Sequence, residues 1–175
     1  MTAATPIASP GRPLLFLDFE ASSLDGDSWP IEIGYARIAE GQVVTRAAVI
    51  APRPDWPMAA WSATAAGVHA IPLAEVFAGA PAEAIATETD DFAACEVVSD
   101  NPAWDQFWLD RLRAGRPRIE VRGLRAAMAE RLDEIEATAV ARALFRGRAA
   151  HRAGPDARRL ATAWLAAAHP LDLAA

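Results

Sequence analysis

Leu14–Phe19 is a short run of apolar side chains interrupted only by Asp18, the pattern of a central strand buried on both faces. A turn-rich loop from Ser22 to Pro30 follows. Two further runs, Ile31–Ala39 and Gln42–Ile50, flank Glu40-Gly41 and read as a tight hairpin. After the proline-rich connection 51–57, alanine-rich helices are expected at Met58–Ala66 and Ala82–Phe92, with a shorter one near Leu73–Ala78. Glu96–Ser99 is a brief β-branched strand. Asn101 before Pro102 marks a helix start, cap then first-turn proline, leading into Ala103–Arg113. Pro117–Val121 reads as a fifth strand, and the rest as helices at Leu124–Arg131, Glu134–Phe145 and Pro155–Ala168. Strands first, then alternating helices and strands, predict an α/β domain with a central mixed five-stranded sheet flanked by helices. Residues 1–13 read as a short N-terminal tail and 14–170 as a single domain.

Composition narrows this picture. The 175 residues, 53% hydrophobic, suffice for one ordinary core. The tail has neither the basic nor the apolar region of a signal peptide, and no run approaches the roughly 18 apolar residues of a membrane span. Cys95 is the one cysteine, which excludes an internal disulfide and suits a small buried side chain in a reducing cytoplasm.

A net charge of −6 argues against a nucleic-acid partner until its distribution is considered. Residues 1–110 carry 4 Arg against 16 acids, a balance of −12, whereas residues 111–175 carry 13 Arg against 7 acids, a balance of +6. The basic third offers a phosphate-contacting surface, with Arg116 and Arg118 or Arg146 and Arg148 as candidate pairs. Solvated arginines on amphipathic helices would account for the same residues one by one. Lysine is absent, which accompanies the high alanine content.

The candidate chemistry lies where acids interrupt apolar patterns. Alternate side chains of a strand share a face, so Leu14, Phe16, Asp18 and Glu20 point one way. Two carboxylates at the end of an apolar strand are costly without partners, and ligands gather at the carboxyl ends of such strands. The alternative is that both flank a loop and face water. Asp105 lies about one turn into its helix and shares a stripe with Trp108, Leu109 and Leu112. Asp156 aligns likewise with Leu160, Ala163 and Trp164. For both, a favourable charge–dipole interaction near a helix start is the competing explanation. His151 falls in the loop before Asp156. Four acids converging on one spot repel unless a cation balances them, and a hard dication prefers carboxylate oxygens. A histidine able to take a proton from water completes the chemistry of phosphodiester hydrolysis.

Three segments together resemble the DEDDh branch of the 3′→5′ exonucleases, the group containing oligoribonuclease, ribonuclease T and the proofreading subunits of bacterial replicative polymerases. They are Phe16-Leu17-Asp18-Phe19-Glu20 with its following Ala21-Ser22-Ser23-Leu24, then Asn101 through Asp105, then His151 through Asp156. Pro30-Ile31-Glu32-Ile33-Gly34 is similar to the family's second strand. The order is that of the family, and the span from Leu14 to Trp164 covers most of the chain.

The resemblance implies a ribonuclease H-like fold. It makes Asp18, Glu20, Asp105 and Asp156 the metal ligands and His151 the general base, with two ions, Mg²⁺ or Mn²⁺. One ion activates water and the other stabilises the leaving oxyanion. Ser22, Ser23 and Leu24 become neighbours of the terminal nucleotide, and Glu32 a residue that fixes local structure. The implied substrates are 3′ ends of RNA or single-stranded DNA, cut to nucleoside 5′-monophosphates; a homodimer is compatible with this. A runner-up is a nuclease fold kept as a catalytically weak nucleic-acid-binding or polymerase-associated module. Two departures stand out. Asp100 occupies a position where the family often has histidine, adding negative charge. Gly67-Val68-His69 only loosely matches the family's His-Gly-hydrophobic element, so His69 is assigned to loop or core packing.

Overall fold

The computed structural model describes residues 11–168; residues 1–10 of the expected tail and 169–170 of the expected domain lie outside the described residues. Six strands form one mixed sheet: β1 (Leu14–Ala21), β2 (Pro30–Ala39), β3 (Gln42–Ala51), β4 (Ala80–Pro81), β5 (Glu96–Ser99) and β6 (Val121–Gly123), in the order β4-β3-β2-β1-β5-β6. β1, β2 and β3 are antiparallel neighbours, and β5 and β6 extend the sheet parallel to β1. The fold is α/β and ribonuclease H-like, as the resemblance implies. Among the described residues one strand more than the expected five is present. The addition, β4, is two residues pairing with Ile50 and Ala51 at the sheet edge, too short to show any period.

The hairpin turns at Glu40 and Gly41, both with positive φ (52° and 72°), the conformation that a two-residue turn between twisted strands requires. The fifth expected strand is displaced from Pro117–Val121 to Val121–Gly123. The cause is Gln106, whose side-chain amide donates to the Ile119 carbonyl (3.0 Å) and accepts from the Val121 N–H (2.7 Å). A side chain thus meets the backbone groups that a neighbouring strand would otherwise pair.

Among the described residues seven helices cover the sheet: α1 (Ala63–His69), α2 (Leu73–Phe77), α3 (Ala82–Glu88), α4 (Pro102–Leu112), α5 (Leu124–Arg131), α6 (Glu134–Arg146) and α7 (Ala153–Leu165). The single helix expected over Met58–Ala66 is instead a 3-10 turn at Met58–Ala60 followed by α1, whose start is capped by Ser62 Oγ accepting from the Ala65 N–H. α3 likewise passes into a 3-10 turn at Thr89–Ala94, where Thr89 Oγ donates back to the Ala86 carbonyl. α7 begins two residues before Pro155, a first-turn position where the missing N–H has no intrahelical partner to lose.

β1 separates two packed layers. Leu15, Leu17 and Phe19 join the larger core with Trp108, Leu109 and Leu112 of α4. Phe16, on the opposite face, packs with Leu124 and Ala127 of α5 and with Ala157, Leu160 and Ala161 of α7. α7 presses on the antiparallel strands at its first turn: a Cβ added to Gly34 would stand 2.0 Å from the Ala153 carbonyl carbon. Only glycine admits that approach, and it sets where α7 begins relative to β1. Among the described residues no helix is long and apolar enough to cross a membrane.

Candidate active site

The strand alternation of β1 puts Asp18 and Glu20 on the face of Phe16, towards α7, at the carboxyl end of the strand. The β1–β2 register slips between Glu20 and Ala21, so Glu20 stands at a bulge, a device that re-aims a side chain. From the other side of the junction α7 supplies Asp156 in its first turn. Carboxylate oxygens of Asp18, Glu20 and Asp156 lie within 4.8 Å of one another.

Asp105 arrives from the first turn of α4, 2% exposed. It stands outside that tight trio, yet it is the largest charged influence on Asp18. Its Oδ2 accepts a short hydrogen bond from Ser99 Oγ, and Ser99 Oγ accepts from the Asn101 N–H at 2.9 Å. Asn101 occupies the cap position of α4 but its side chain makes no capping bond. The serine at the end of β5 therefore orients both the helix entry and the acid.

The electrostatics record the crowding. Burial, then Asp105, Glu20 and Asp156, push Asp18 up to about 10. Burial, then Asp156 and Glu32, raise Glu20 to about 7, against the opposing pull of Arg152. Burial dominates at Asp105 and takes it to about 8, with the Ser99 hydroxyl and the Phe19 amide holding it down. Such a group of acids is at odds with its own charge in the absence of a cation, and its all-oxygen donor set fits a hard dication.

Asp156 also holds the loop before it. Its two oxygens accept from the Ala150 N–H (2.9 Å) and the His151 N–H (2.8 Å). His151 has φ of 54°, is exposed, and is fixed at its backbone by the carboxylate it was expected to accompany. Arg159, one turn along α7, lies 3.5 Å from Asp156 and 2.8 Å from Asp100. The extra negative charge of Asp100 is thus met by an arginine of the same helix that carries Asp156. Glu32, 3% exposed, takes Arg152 through both oxygens and also accepts from the Ala153 N–H at 2.8 Å. That is the local structural role expected of it.

Beside Glu20 opens a cleft of about 350 Å³ whose lining includes Phe19, Ser23, Leu24, Val68, His69 and Trp108. Ser23 and Leu24 face this space, Leu24 with 67% of its surface exposed. Ser22 does not line it. It is fully buried, accepts from the Trp29 N–H at 3.0 Å, and closes the loop that carries Leu24. Trp108 and His69 are additions that sequence reasoning set aside as packing residues. His69 is 2% exposed; its Nδ1 accepts from the Ile71 N–H at 3.0 Å, so the neutral ring carries its proton on Nε2. That Nε2 has no partner among the described residues, and burial lowers the pKa of the ring. The signal that could have found it was Val68-His69-Ala70-Ile71 itself.

The basic third does not form one face. Arg113, Arg116, Arg118, Arg122 and Arg131 pair with Asp90, Glu83, Asp110, Glu96 and Glu130, most of them acids of the first 110 residues. Arg116 and Arg118 follow the C-terminal end of α4, whose opposite end carries Asp105.

No protein-family model and no curated protein matches the chain. Solved structures do. Exonuclease X in complex with 5′ overhanging duplex DNA is 22% identical with a TM-score of 0.57, over 93% of this chain and 95% of that one. E. coli Exonuclease I in complex with a dA16 oligonucleotide is 14% identical with a TM-score of 0.62, covering 93% of this chain, which spans 42% of that larger one. Cell-death related nuclease 4 is 13% identical with a TM-score of 0.60, over 89% of this chain and 63% of that one. The fold is shared with nucleases.

Proposed function

We propose that this chain is a metal-dependent 3′→5′ exonuclease of the DEDDh type, hydrolysing the terminal phosphodiester bond of RNA or single-stranded DNA and releasing a nucleoside 5′-monophosphate. The observation that carries the reading is the meeting of Asp18, Glu20 and Asp156 within 4.8 Å, with Asp105 buried alongside, at the carboxyl end of the central strand. Asp18, Glu20, Asp105 and Asp156 would hold two divalent ions, Mg²⁺ or Mn²⁺, and such ions supply charge stabilisation of the phosphoryl group and a more acidic water.

The chain's own residues do the rest. His151 accepts the proton of the attacking water, for which its imidazole must be neutral. Asp156, by bonding the Ala150 and His151 amides, holds the backbone that carries His151 beside the acidic cluster. The cleft beside Glu20 suits the terminal nucleoside, with Leu24, Val68 and Trp108 against the base and the His69 Nε2–H as a donor. Ser23 lines the same space. Ser22 acts at one remove, through the loop it closes.

Release of mononucleotides from a labelled oligonucleotide, with Mg²⁺ and with chelator, tests the reading. Metal-dependent shortening from the 3′ end, abolished in Asp18→Asn, supports it. Intact oligonucleotide at every metal concentration, with binding retained, would favour the catalytically weak binding module.

A further inference from the structure

The outer face of α6 is covered by nothing in the described fold. Phe145 is 93% exposed and Ile135 63%, the two ends of a stripe that passes through Thr138 and Arg142 at helical spacing. From Ala137 to Pro155 the chain carries Arg142, Arg146, Arg148 and Arg152 and not a single acid. Arg142 and Arg148 make no ion pair among the described residues, in contrast to Arg113, Arg116, Arg118, Arg122 and Arg131. The most exposed aromatic of the described fold therefore sits between two arginines, Arg142 and Arg148, that no acid of the described residues pairs.

The chain bounds its distance from the acidic cluster. Five residue steps separate Phe145 from Ala150, a distance of at most ~18 Å. The Ala150 and His151 amides are bonded to Asp156 itself. A side chain at Phe145 is thus within reach of nucleotides upstream of a bond cut at the cluster.

Resting on the exonuclease reading, we propose that Phe145, flanked by Arg142 and Arg148, is a stacking platform for an unpaired base of the substrate strand upstream of the scissile bond. An aromatic face accepts any base, and guanidinium groups beside it take the backbone phosphates. The proposal names the preferred substrate class: a strand single-stranded for several nucleotides before its 3′ end, since a paired base offers no free face. Strand attraction, not a second copy of the chain, is what the uncompensated arginines favour, because two such faces would repel.

The test measures binding of a fluorescein-labelled oligothymidylate with Ca²⁺ in place of Mg²⁺, by anisotropy, for the wild type, Phe145→Ala and Phe145→Tyr. Phe145→Ala should weaken binding by roughly 5- to 100-fold and Phe145→Tyr should restore it. Abasic residues placed successively upstream of the 3′ end should weaken wild-type binding at one position and leave Phe145→Ala indifferent there. Equal affinity of wild type and Phe145→Ala, while the wild type still digests the same oligonucleotide with Mg²⁺, overturns the platform and spares the exonuclease reading. So does a dimer that Phe145→Ala dissociates in sedimentation without changing anisotropy. Failure of the wild type both to bind and to digest overturns both.

Discussion

Arg152 closes on Glu32 through two nitrogens, 2.7 Å at the shorter contact, and the Ala153 N–H bonds the same carboxylate, so one buried acid of β2 receives the entire start of α7. The relationship matters because α7 delivers Asp156 and its preceding loop delivers His151. The position of the proposed catalytic pair is inherited from an ion pair on the sheet.

Removing Arg152 should therefore act on stability and on turnover together. Glu32 is buried and would keep only the Ala153 amide, a loss at the low end of what breaking a buried pair costs because Arg152 is itself partly exposed. Thermal or urea unfolding of Arg152→Ala should show a loss of about 2–3 kcal/mol. Nuclease assays on the same variant should show reduced turnover with metal affinity less affected than in Asp18→Asn. Wild-type stability would mean that the Ala153 amide alone suffices.

Gly34→Ala should be more damaging than its chemistry suggests. The added Cβ would meet the Ala153 backbone at 2.0 Å, and the helix start has no room to yield because Gly154 lies against the Ala47 Cβ. A cost of about 1–3 kcal/mol or more is expected, along with loss of activity as α7 shifts. Near-normal melting and turnover would contradict the close approach.

The acids make the metal-free protein sensitive to base. Folding raises Asp18 to about 10, Asp105 to about 8 and Glu20 to about 7, so the native state favours their protonated forms. The sign follows: this stability is fully present below the ordinary carboxylate range near pH 4 and is lost as pH rises through about 7, 8 and then 10. In chelator, the melting temperature should drop from pH 6 to pH 9 by on the order of 5 °C. Saturating Mg²⁺ should reverse most of that drop, and Asp18→Asn should flatten it without metal. A flat profile in chelator for the wild type would mean that the carboxylates do not crowd one another.

His151→Asn separates the base from the metal site. Its side chain contributes nothing to the buried core, so melting should stay close to wild type. Turnover with saturating Mg²⁺ should fall by roughly 10²–10⁴-fold, the scale of general-base loss. Calorimetric titration with Mg²⁺ should still register binding, because all four acids remain. Wild-type turnover would remove His151 from the mechanism.

The polar–apolar pattern of the chain carried a great deal by itself. β1, the Glu40-Gly41 hairpin, β5, α5 and the stripes that bury Asp105 and Asp156 all follow from period-2 and period-3.6 spacing, because burial of one face is local information. The four acids Asp18, Glu20, Asp105 and Asp156, set into apolar patterns, were legible for the same reason. What periodicity could not reach was anything set by partners distant in sequence. The displacement of the fifth strand depends on Gln106, fifteen residues from Val121; β4 exists only because a neighbouring edge was free to pair. Ser22 was absorbed by the Trp29 amide, while Trp108 and His69, packing residues by every local measure, came to line the cleft. Charge behaved likewise: once Asp90, Glu83 and Glu96 are folded against the basic third, Arg113, Arg116 and Arg122 are paired, while Arg142 and Arg148 on either side of Phe145 make no ion pair among the described residues. Which arginines keep a net field depends on which acids the fold brings to them, and only the tertiary structure determines that.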